Sequence, residues 1–452
     1  MTMSQSQMLT PHKIRAARYP SPLDLSSKHG DDIANFTEDS AGIPYAFVGD
    51  QTEINESPRF VLSGPRRMLA YRGDEVRAGI ITCGGLCPGL NDVIRSVVNC
   101  LWRRYGVRQI RGFRYGYFGL TERGSREYLP LELTPESVRS IHRVGGSILG
   151  SSRGAPDFAE LVETLRAYQI NQLYCIGGDG TMRGAITLVR ELKARGLKVS
   201  VIGIPKTIDN DLPYVERTFG FDTAIAMSVE AVRAARAEAS SGIRGVGLVK
   251  LMGRHAGFIA ANAAISSREV DLVLVPELPF ALGELNVSGA RVEVEGILPY
   301  IQGVLRARGE AVIVVAEGVG QGQRHQPPLS AVRGYDASGN SKLGNVGLAL
   351  KRKLQQAFTT IGEPINLKYI DPSYMIRATP VSSADAIYCA QLAEDAVHSA
   401  MAGFTETLIG IWGGVGTLVP FQLLQGQEKR LDLDGPLWRN VLDATGQPSA
   451  LN

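Results

Sequence analysis

The sequence predicts an α/β protein built from two doubly wound, Rossmann-like domains. Short apolar runs that can form buried strands alternate with longer segments whose apolar residues recur at helical spacing. Many of the 51 glycines stand at the ends of the apolar runs, where tight turns lead from strands into helices. This alternation is typical of parallel sheets that are covered by helices on both faces.

The predicted domains follow from where the alternation starts, pauses and ends. A chain of 452 residues allows two or three domains. Residues 1–75 are polar and weakly periodic, which predicts an N-terminal extension. Residues 76–220 and about 384–424 are predicted to form the first domain, and residues 221–383 the second, with a site in the cleft between them. Residues 425–452 are predicted to be a polar C-terminal tail.

Composition and charge favour an ordinary cytoplasmic protein. The formal net charge of +3 is too close to neutral to predict binding to nucleic acid or to a membrane surface. No apolar run approaches the about 18–20 residues of a membrane-spanning helix, and the N-terminus lacks the apolar stretch of a secretion signal. The five cysteines are odd in number and mostly lie in strand or helix patterns, which predicts reduced thiols.

The first predicted strand of the main body, Ala78–Cys83, runs into G-G-L-C-P-G-L-N and then a helix over Val93–Trp102. A glycine loop between a strand and a helix N-terminus can cradle phosphate. The spacing fits neither the dinucleotide fingerprint nor the P-loop, and a purely structural turn stays open as the alternative. The later loop Gly145–Arg153 ends on an arginine that could reach a nucleotide phosphate or stand on the surface.

The stretch L-Y-C-I-G-G-D-G-T predicts a buried strand that delivers a carboxylate to the sheet edge. Its glycines allow main-chain N–H groups to approach a phosphate, and Asp179 can hold Mg²⁺ against that phosphate. A helix over Met182–Leu192 follows. A plain strand–turn–helix with a capping aspartate is the alternative.

The next predicted strand, Val199–Ile204, leads into P-K-T-I-D-N-D-L. Successive strands of a βαβ unit are parallel, so Asp209 or Asp211 is expected at the same sheet edge as Asp179. Asp209 can accept the proton of an attacking alcohol. Thr207 can bond a transferring phosphoryl oxygen and Lys206 can neutralise one. An Asx-turn cluster is the alternative.

Apolar runs in the second half of the chain end in further polar residues. The motif K-L-M-G-R-H-A-G-F-I-A follows a strand and presents Arg254, a natural partner for an anionic group. A later strand ends at Glu317. The segment Y-I-D-P-S-Y-M-I-R-A-T offers Tyr374 and Arg377.

Taken together, five motifs resemble the 6-phosphofructokinases, most closely the long branch found in trypanosomatids and plants. The resemblance covers roughly residues 75–420 and rests on these motifs: G-G-L-C-P-G-L-N, G-G-D-G-T, P-K-T-I-D-N-D, K-L-M-G-R-H-A-G-F-I-A and Y-M-I-R-A. G-G-D-G-T alone is weaker evidence, because NAD kinases and diacylglycerol kinases share it.

The resemblance implies ATP and fructose 6-phosphate as substrates, Mg²⁺ on Asp179 and a homo-oligomer, either a dimer or a tetramer. The implied ATP site comprises Gly84, Arg153, Gly154, Gly178, Asp179, Gly180 and Thr181. The implied fructose 6-phosphate contacts are Thr207, Ile208, Asp209, Met252, Gly253, Arg254, Glu317, Tyr374, Met375, Ile376 and Arg377. Asp209 is the implied base for the sugar 1-hydroxyl. Arg254 would bind the sugar or stabilise the transferring charge, and Arg377 would hold the 6-phosphate.

Two positions bear on the phosphoryl donor. In the family an aspartate at the position of Gly180 blocks the nucleotide and favours pyrophosphate, and the glycine here leaves room for ATP. A lysine at the position of Lys206 is typical of pyrophosphate users. Steric exclusion is decisive and a lysine is compatible with either donor, so ATP is the predicted donor and pyrophosphate the alternative.

The chain also departs from the short bacterial members. Ser383 stands where they place a histidine, and Gly245, next to Arg244, stands where they contribute an arginine across a subunit interface. Two other functions are alternatives. An NAD kinase would have an all-β second half, whereas helix and strand continue to alternate here. A non-catalytic subunit that binds sugar phosphate would be favoured by the loss of Asp179 or Asp209, and both are present.

Overall fold

The computed structural model describes residues 8–46, 57–154, 156–285, 295–321, 326–329, 334–335 and 342–451. The chain divides into two compact units. The first unit comprises Met1–Thr207, Leu212–Gly220 and Ala378–Glu428. The second comprises Ile208–Asp211, Phe221–Arg377 and Lys429–Asn452. The boundary therefore passes through the P-K-T-I-D-N-D motif.

The N-terminal extension contributes short strands to the first unit. They are β1 (Met8–Leu9), β2 (His12–Lys13), β3 (Tyr19–Pro20), β4 (Gly42–Pro44), β5 (Arg59–Leu62) and β6 (Met68–Leu69), followed by a 3₁₀ turn at Gly73–Glu75. The buried Arg66 ties the extension together, because its Nε donates to Asp39 Oδ1 at 2.9 Å and its Nη1 to the Gly64 carbonyl at 3.0 Å.

The main body of the first unit alternates strands and helices. Its elements are β7 (Arg77–Thr82), α1 (Leu90–Tyr105), β8 (Gln109–Gly112), a 3₁₀ turn (Gly116–Leu120), α2 (Glu122–Glu127), β9 (Leu131–Glu132), a 3₁₀ turn (Ile141–Arg143), α3 (Phe158–Ala167), β10 (Gln172–Gly177), α4 (Asp179–Ala194) and β11 (Ser200–Pro205). Every residue of β10 and β11 is buried, which explains why these strands appear in the sequence as continuous apolar runs.

The second unit holds a smaller sheet with its own helices. Its elements are α5 (Phe221–Ser240), β12 (Gly245–Leu251), α6 (Phe258–Ser267), β13 (Leu272–Leu274), α7 (Ile297–Arg308), β14 (Glu310–Ala316), α8 (Val346–Thr360), β15 (Asn366–Ile370) and α9 (Ser373–Arg377). The strand order is β13-β14-β12-β15, and all pairs are parallel. The ends of β12 and β14 therefore lie side by side, with Leu251 opposite Ala316.

The chain then returns to the first unit before it ends in the second. The returning elements are α10 (Ser383–Met401), β16 (Phe404–Thr405), β17 (Thr407–Trp412), β18 (Val415–Pro420) and a 3₁₀ turn (Phe421–Leu424). The stretch 425–452, predicted to be a polar tail, contains a further helix, α11 (Pro436–Thr445), which packs against α6 of the second unit. No helix in the described part of the chain is long and apolar enough to cross a membrane.

The large sheet of the first unit is parallel at its centre and mixed at its edges. Its strand order is β1-β5-β18-β17-β11-β10-β7-β8-β9, with β4 paired to β5. Strands β17, β11, β10, β7 and β8 run parallel to one another, whereas β18 and β9 are antiparallel to their neighbours in this core. The carboxyl ends of β7, β10 and β11 consequently lie at one edge of the sheet.

Candidate active site

Main-chain hydrogen bonds continue past the ends of these three strands and align the loops that follow them. Cys83 N–H donates to the Ile176 carbonyl at 2.9 Å, and Lys206 N–H donates to the Gly177 carbonyl at 3.0 Å. The predicted glycine loop, the G-G-D-G-T turn and the start of the P-K-T-I-D-N-D motif are therefore neighbours within the first unit.

The first glycine loop and the loop before Arg153 are joined by hydrogen bonds. Ser151 Oγ donates to the Gly84 carbonyl at 2.5 Å, and Gly84 N–H donates to the Ser152 carbonyl at 3.3 Å. A cavity of about 600 Å³ opens between them. It is lined by Gly84, Gly85, Leu86, Gly145, Gly146, Ser147, Gly150, Ser151, Ser152 and Arg153. Five of these lining residues are glycines without a Cβ, so the main chain of both loops can come close to a bound ligand.

Most of these lining residues were not singled out from the sequence. Of the second loop, the sequence predicts only Arg153 and the adjoining Gly154 as binding residues, whereas Gly145, Gly146 and Ser151 also line the cavity. The signal that could have identified them is the density of glycine and serine in the stretch G-G-S-I-L-G-S-S-R, because small residues permit close approach of the main chain to a ligand.

Lys206 is buried beneath the first glycine loop. Its Nζ donates to the Gly85 carbonyl at 2.7 Å, and its side chain is 6% exposed. Gly84 adopts φ +83°, and a Cβ at Gly84 would lie 3.1 Å from Lys206 Nζ. The glycine is therefore favoured there both by its backbone conformation and by the proximity of the lysine.

The G-G-D-G-T turn places Asp179 at a helix N-terminus. Gly178 is the N-cap of α4 in extended backbone, and Asp179 is the first helical residue, where a negative charge is favourable. The Asp179 side chain is 53% exposed and pairs with Arg183 at 2.9 Å. A Cβ on Gly180 would meet nothing within 4 Å, so the space beside this turn is open.

The donor set around Asp179 fits a cation that takes most of its ligands from a nucleotide. Within the described residues, no group of three or more His, Cys, Asp or Glu side chains could hold a metal by itself. Mg²⁺ in nucleotide sites is commonly bound by one or two carboxylates together with phosphate oxygens and waters. A single exposed carboxylate next to the N-terminus of a helix is compatible with that arrangement.

In the second unit, Asp209 is held against the loop that carries Arg254. Asp209 Oδ2 accepts the main-chain N–H of Arg254 at 3.1 Å. The pKa of Asp209 is raised to about 8, first by burial and then by the neighbouring charges of Asp211 and Glu317, while the Arg254 N–H and the Arg377 guanidinium oppose the rise. The structure therefore brings together four charged residues that the sequence assigned to one site: Asp209, Arg254, Glu317 and Arg377.

The ends of β12 and β14 explain why Arg254 and Glu317 are neighbours. Glu317 N–H donates to the Leu251 carbonyl at 2.9 Å, and Gly318 N–H donates to the Gly253 carbonyl at 3.0 Å. A Cβ on Gly318 would lie 2.0 Å from the Arg254 carbonyl oxygen, so only glycine allows the two loops to approach this closely. The Met252 side chain is fully buried, which leaves its main chain as the part available to a ligand.

Helix α9 presents the Y-M-I-R motif with its side chains on different sides. Tyr374 is 83% exposed and Met375 is 68% exposed, whereas Ile376 is fully buried in the core. Arg377 ends the helix and contributes its charge to the surroundings of Asp209. Ile208 is also buried, and Thr207 accepts a hydrogen bond from Thr218 Oγ1 on its carbonyl at 2.5 Å.

Comparison with known proteins gives one consistent family. The family model described as Phosphofructokinase matches residues 77–400. The chain is 47% identical over 397 residues to an ATP-dependent 6-phosphofructokinase of Amycolatopsis methanolica, with 87% of this chain and 84% of that protein covered. It is 45% identical to the ATP-dependent 6-phosphofructokinase of Trypanosoma cruzi over 89% of this chain and 80% of that protein. It is 42% identical to ATP-dependent 6-phosphofructokinase 7 of Arabidopsis thaliana, with 96% of this chain and 86% of that protein covered.

Solved structures agree on the fold. A pyrophosphate-dependent phosphofructokinase from Marinobacter aquaeolei matches with a TM-score of 0.63 and 20% identity, covering 82% of this chain and 91% of the other. Phosphofructokinase from Pichia pastoris matches with a TM-score of 0.60 and 20% identity, covering 89% of this chain and 39% of the other. At this level of identity the likeness concerns architecture and carries no information on the phosphoryl donor.

Proposed function

This chain belongs to the phosphofructokinase family, and on that premise we propose that it transfers the γ-phosphate of ATP to the 1-hydroxyl of fructose 6-phosphate. The product is fructose 1,6-bisphosphate. The observation that carries the proposal is the setting of Asp209, a carboxylate with a raised pKa that is oriented by the Arg254 N–H and faces the charges of Glu317 and Arg377. A base of this kind suits removal of a proton from a sugar hydroxyl.

Each charged residue has a separate task in this proposal. Asp209 accepts the proton of the 1-hydroxyl as that oxygen attacks the γ-phosphorus. Arg254 neutralises the charge that develops on the transferring phosphoryl group, and Arg377 holds the 6-phosphate of the sugar. Thr207 donates a hydrogen bond to a phosphoryl oxygen, and Lys206 contributes positive charge from beneath the first glycine loop.

The nucleotide is assigned to the first unit and the sugar phosphate to the second. The cavity beside Gly84 and Arg153, with its glycine-rich lining and the positive charge of Arg153, supports the assignment of the nucleotide phosphates. Members of this family are kinases that need a divalent metal, and Asp179 is the residue proposed to hold Mg²⁺. When bound, the cation neutralises phosphate oxygens of the nucleotide.

ATP is the proposed donor because of Gly180 and the setting of Lys206. The open space beside Gly180 can accept the α-phosphate of a nucleotide. Lys206, which is typical of pyrophosphate users, directs its Nζ to the Gly85 carbonyl, a contact compatible with either donor. The curated relatives at 40–47% identity carry names that specify ATP. Pyrophosphate is retained as the alternative donor.

A donor comparison tests the proposal directly. Purified chain is supplied with Mg²⁺ and fructose 6-phosphate together with either ATP or pyrophosphate, and fructose 1,6-bisphosphate is measured with aldolase-coupled oxidation of NADH. We expect turnover with ATP and little with pyrophosphate. Turnover with pyrophosphate alone would overturn the donor assignment. If circular dichroism shows that the protein is folded and neither donor gives product, the proposed reaction is overturned.

Two further properties belong to the proposal. A cytoplasmic location is supported by the five cysteines, which are buried thiols outside any disulfide. Association into a homo-oligomer, as a dimer or tetramer, would be measured by light scattering on the purified chain. Because Gly245 stands where short bacterial members contribute an arginine across a subunit interface, that association is proposed without this arginine.

A further inference from the structure

The end of the chain is an integral part of the second unit. The side chain of Gln447 bonds to both main-chain groups of Val273, since its Oε1 accepts from Val273 N–H at 2.7 Å and its Nε2 donates to the Val273 carbonyl at 3.4 Å. Ala281 N–H donates to the Leu451 carbonyl at 2.7 Å. These contacts tie the C-terminal stretch to the sheet next to β13.

The beginning of the same stretch contacts the loops that carry the proposed catalytic residues. Lys429 N–H donates to the carbonyl of Asp211, two residues after Asp209, at 3.2 Å. Lys429 Nζ also lies 5.3 Å from the centre of the Phe258 ring, at the start of α6. The buried Leu431 donates its main-chain N–H to Glu277 Oε1 at 2.8 Å.

Glu277 is the point at which this stretch meets the Arg254 loop. Both of its carboxylate oxygens accept the N–H of Gly257, each at 3.1 Å, and Gly257 follows Arg254 by three residues. Burial raises the pKa of Glu277, while the N–H groups of Leu431 and Gly257 and the charge of Arg430 oppose that shift. A Cβ on Gly257 would lie 2.3 Å from Val275 Cγ1 and 3.1 Å from Glu277 Oε2, so glycine is required for this contact.

Together these bonds form a closed circuit through the proposed sugar site. Asp209 bonds to Arg254, and the chain then runs to Gly257, which bonds to Glu277. Glu277 accepts the N–H of Leu431. Lys429, two residues before Leu431, donates its N–H to the carbonyl of Asp211, which lies two residues after Asp209 and so closes the circuit. Each junction uses at least one main-chain group, so the circuit constrains the loop backbones themselves.

We propose that Glu277 and the segment Lys429–Leu431 act as a brace that positions Arg254 and Asp209 for the sugar phosphate. Glu277 is a positioning residue, because in this proposal it acts on Arg254 through the Gly257 N–H. Displacements of about 1 Å at reacting groups can cost up to about 100-fold in rate, so loop placement has kinetic consequences. The inference rests on the proposed function, since it names residues that serve the same reaction.

Steady-state kinetics of Glu277 variants test the brace. Glu277→Ala removes both acceptor oxygens, and we expect kcat/KM for fructose 6-phosphate to fall about tenfold or more while the KM for ATP changes by less than about twofold. Glu277→Gln keeps one acceptor oxygen, so we expect an intermediate loss of about threefold. If Glu277→Ala fails to fold, the Gln variant carries the test.

A matched control separates positioning from general stability. Gln447→Ala removes the side-chain hydrogen bonds that attach the end of the C-terminal stretch to β13, without touching either catalytic loop. We expect it to lower Tm and to leave the KM for fructose 6-phosphate unchanged. The brace would be overturned if the Glu277→Ala enzyme had a lower Tm but wild-type kinetics. It would also be overturned if the KM values for ATP and for fructose 6-phosphate changed equally. Wild-type turnover, measured in parallel, shows separately whether the proposed function holds.

Discussion

Arg254 donates its main-chain N–H to Asp209 Oδ2 at 3.1 Å, so the proposed base is oriented by the loop that carries the proposed charge-stabilising arginine. The contact uses the backbone N–H of Arg254 and therefore does not depend on its guanidinium. Displacement of the Arg254 loop therefore moves the base as well. The two functions are mechanically coupled within the second unit.

Replacement of the proposed base should affect the chemical step most strongly. We expect Asp209→Asn to lower kcat by about 10²–10⁴-fold, because the amide still accepts the Arg254 N–H and cannot take the hydroxyl proton. The KM for fructose 6-phosphate should change little. Steady-state kinetics at saturating Mg-ATP measure both parameters. The exposed Asp434→Asn in the same unit is the control and should behave as wild type. A near-normal rate for Asp209→Asn would remove Asp209 from the role of base.

The raised pKa of Asp209 predicts a rise of activity with pH. Burial, then Asp211 and Glu317, raise the pKa of Asp209 to about 8, so below that pH the carboxyl is mostly protonated and cannot act as a base. We expect kcat/KM for fructose 6-phosphate to increase as the pH rises towards about 8. Asp211→Asn removes one negative charge near Asp209, so the rise of kcat/KM with pH should move to lower pH. A pH profile with the same midpoint in both proteins would contradict this explanation of the shift.

Much of the site could be predicted because buried parallel strands have a clear sequence signature. Strands β10 and β11 are buried throughout, so they appear as unbroken apolar runs, and the residues after them must lie at the carboxyl edge of the sheet. The glycines next to them mark close approaches, as at Gly84 above Lys206. The predicted strand Val199–Ile204 and the observed β11, Ser200–Pro205, agree to within one residue at each end.

The parts that were not predicted depend on contacts without a sequence pattern. Helix α6 is buried on nearly all sides, so its apolar residues show no helical period. The C-terminal stretch looks polar because its attachment uses main-chain N–H groups, such as that of Leu431, and the amide of Gln447. The Asp209–Arg254 bond likewise has a main-chain donor, which any residue except proline supplies.

The open space at Gly180 makes donor selectivity testable by substitution. We expect Gly180→Asp to raise the KM for ATP by about 100-fold or more, because a carboxylate would stand where the nucleotide phosphate is proposed to bind. The variant should fold, since a Cβ at this position meets nothing within 4 Å and an acidic residue suits the first turn of α4. Gly180→Ala is the control and should keep its use of ATP. An unchanged KM for ATP in Gly180→Asp would place the nucleotide elsewhere.

The ion pair of Asp179 with Arg183 allows the proposed magnesium ligand to be separated from its structural neighbour. Asp179→Asn removes the carboxylate charge, and we expect the Mg²⁺ concentration for half-maximal activity to rise about tenfold or more. Stability should change little, because exposed pairs at this spacing contribute about 0.3–0.5 kcal/mol. Arg183→Gln breaks the same pair and leaves the carboxylate, so its Mg²⁺ dependence should match that of wild type. Titration of activity with Mg²⁺ for the three proteins decides the matter: equal shifts in both variants would mean that the pair, and not a cation on Asp179, governs the response.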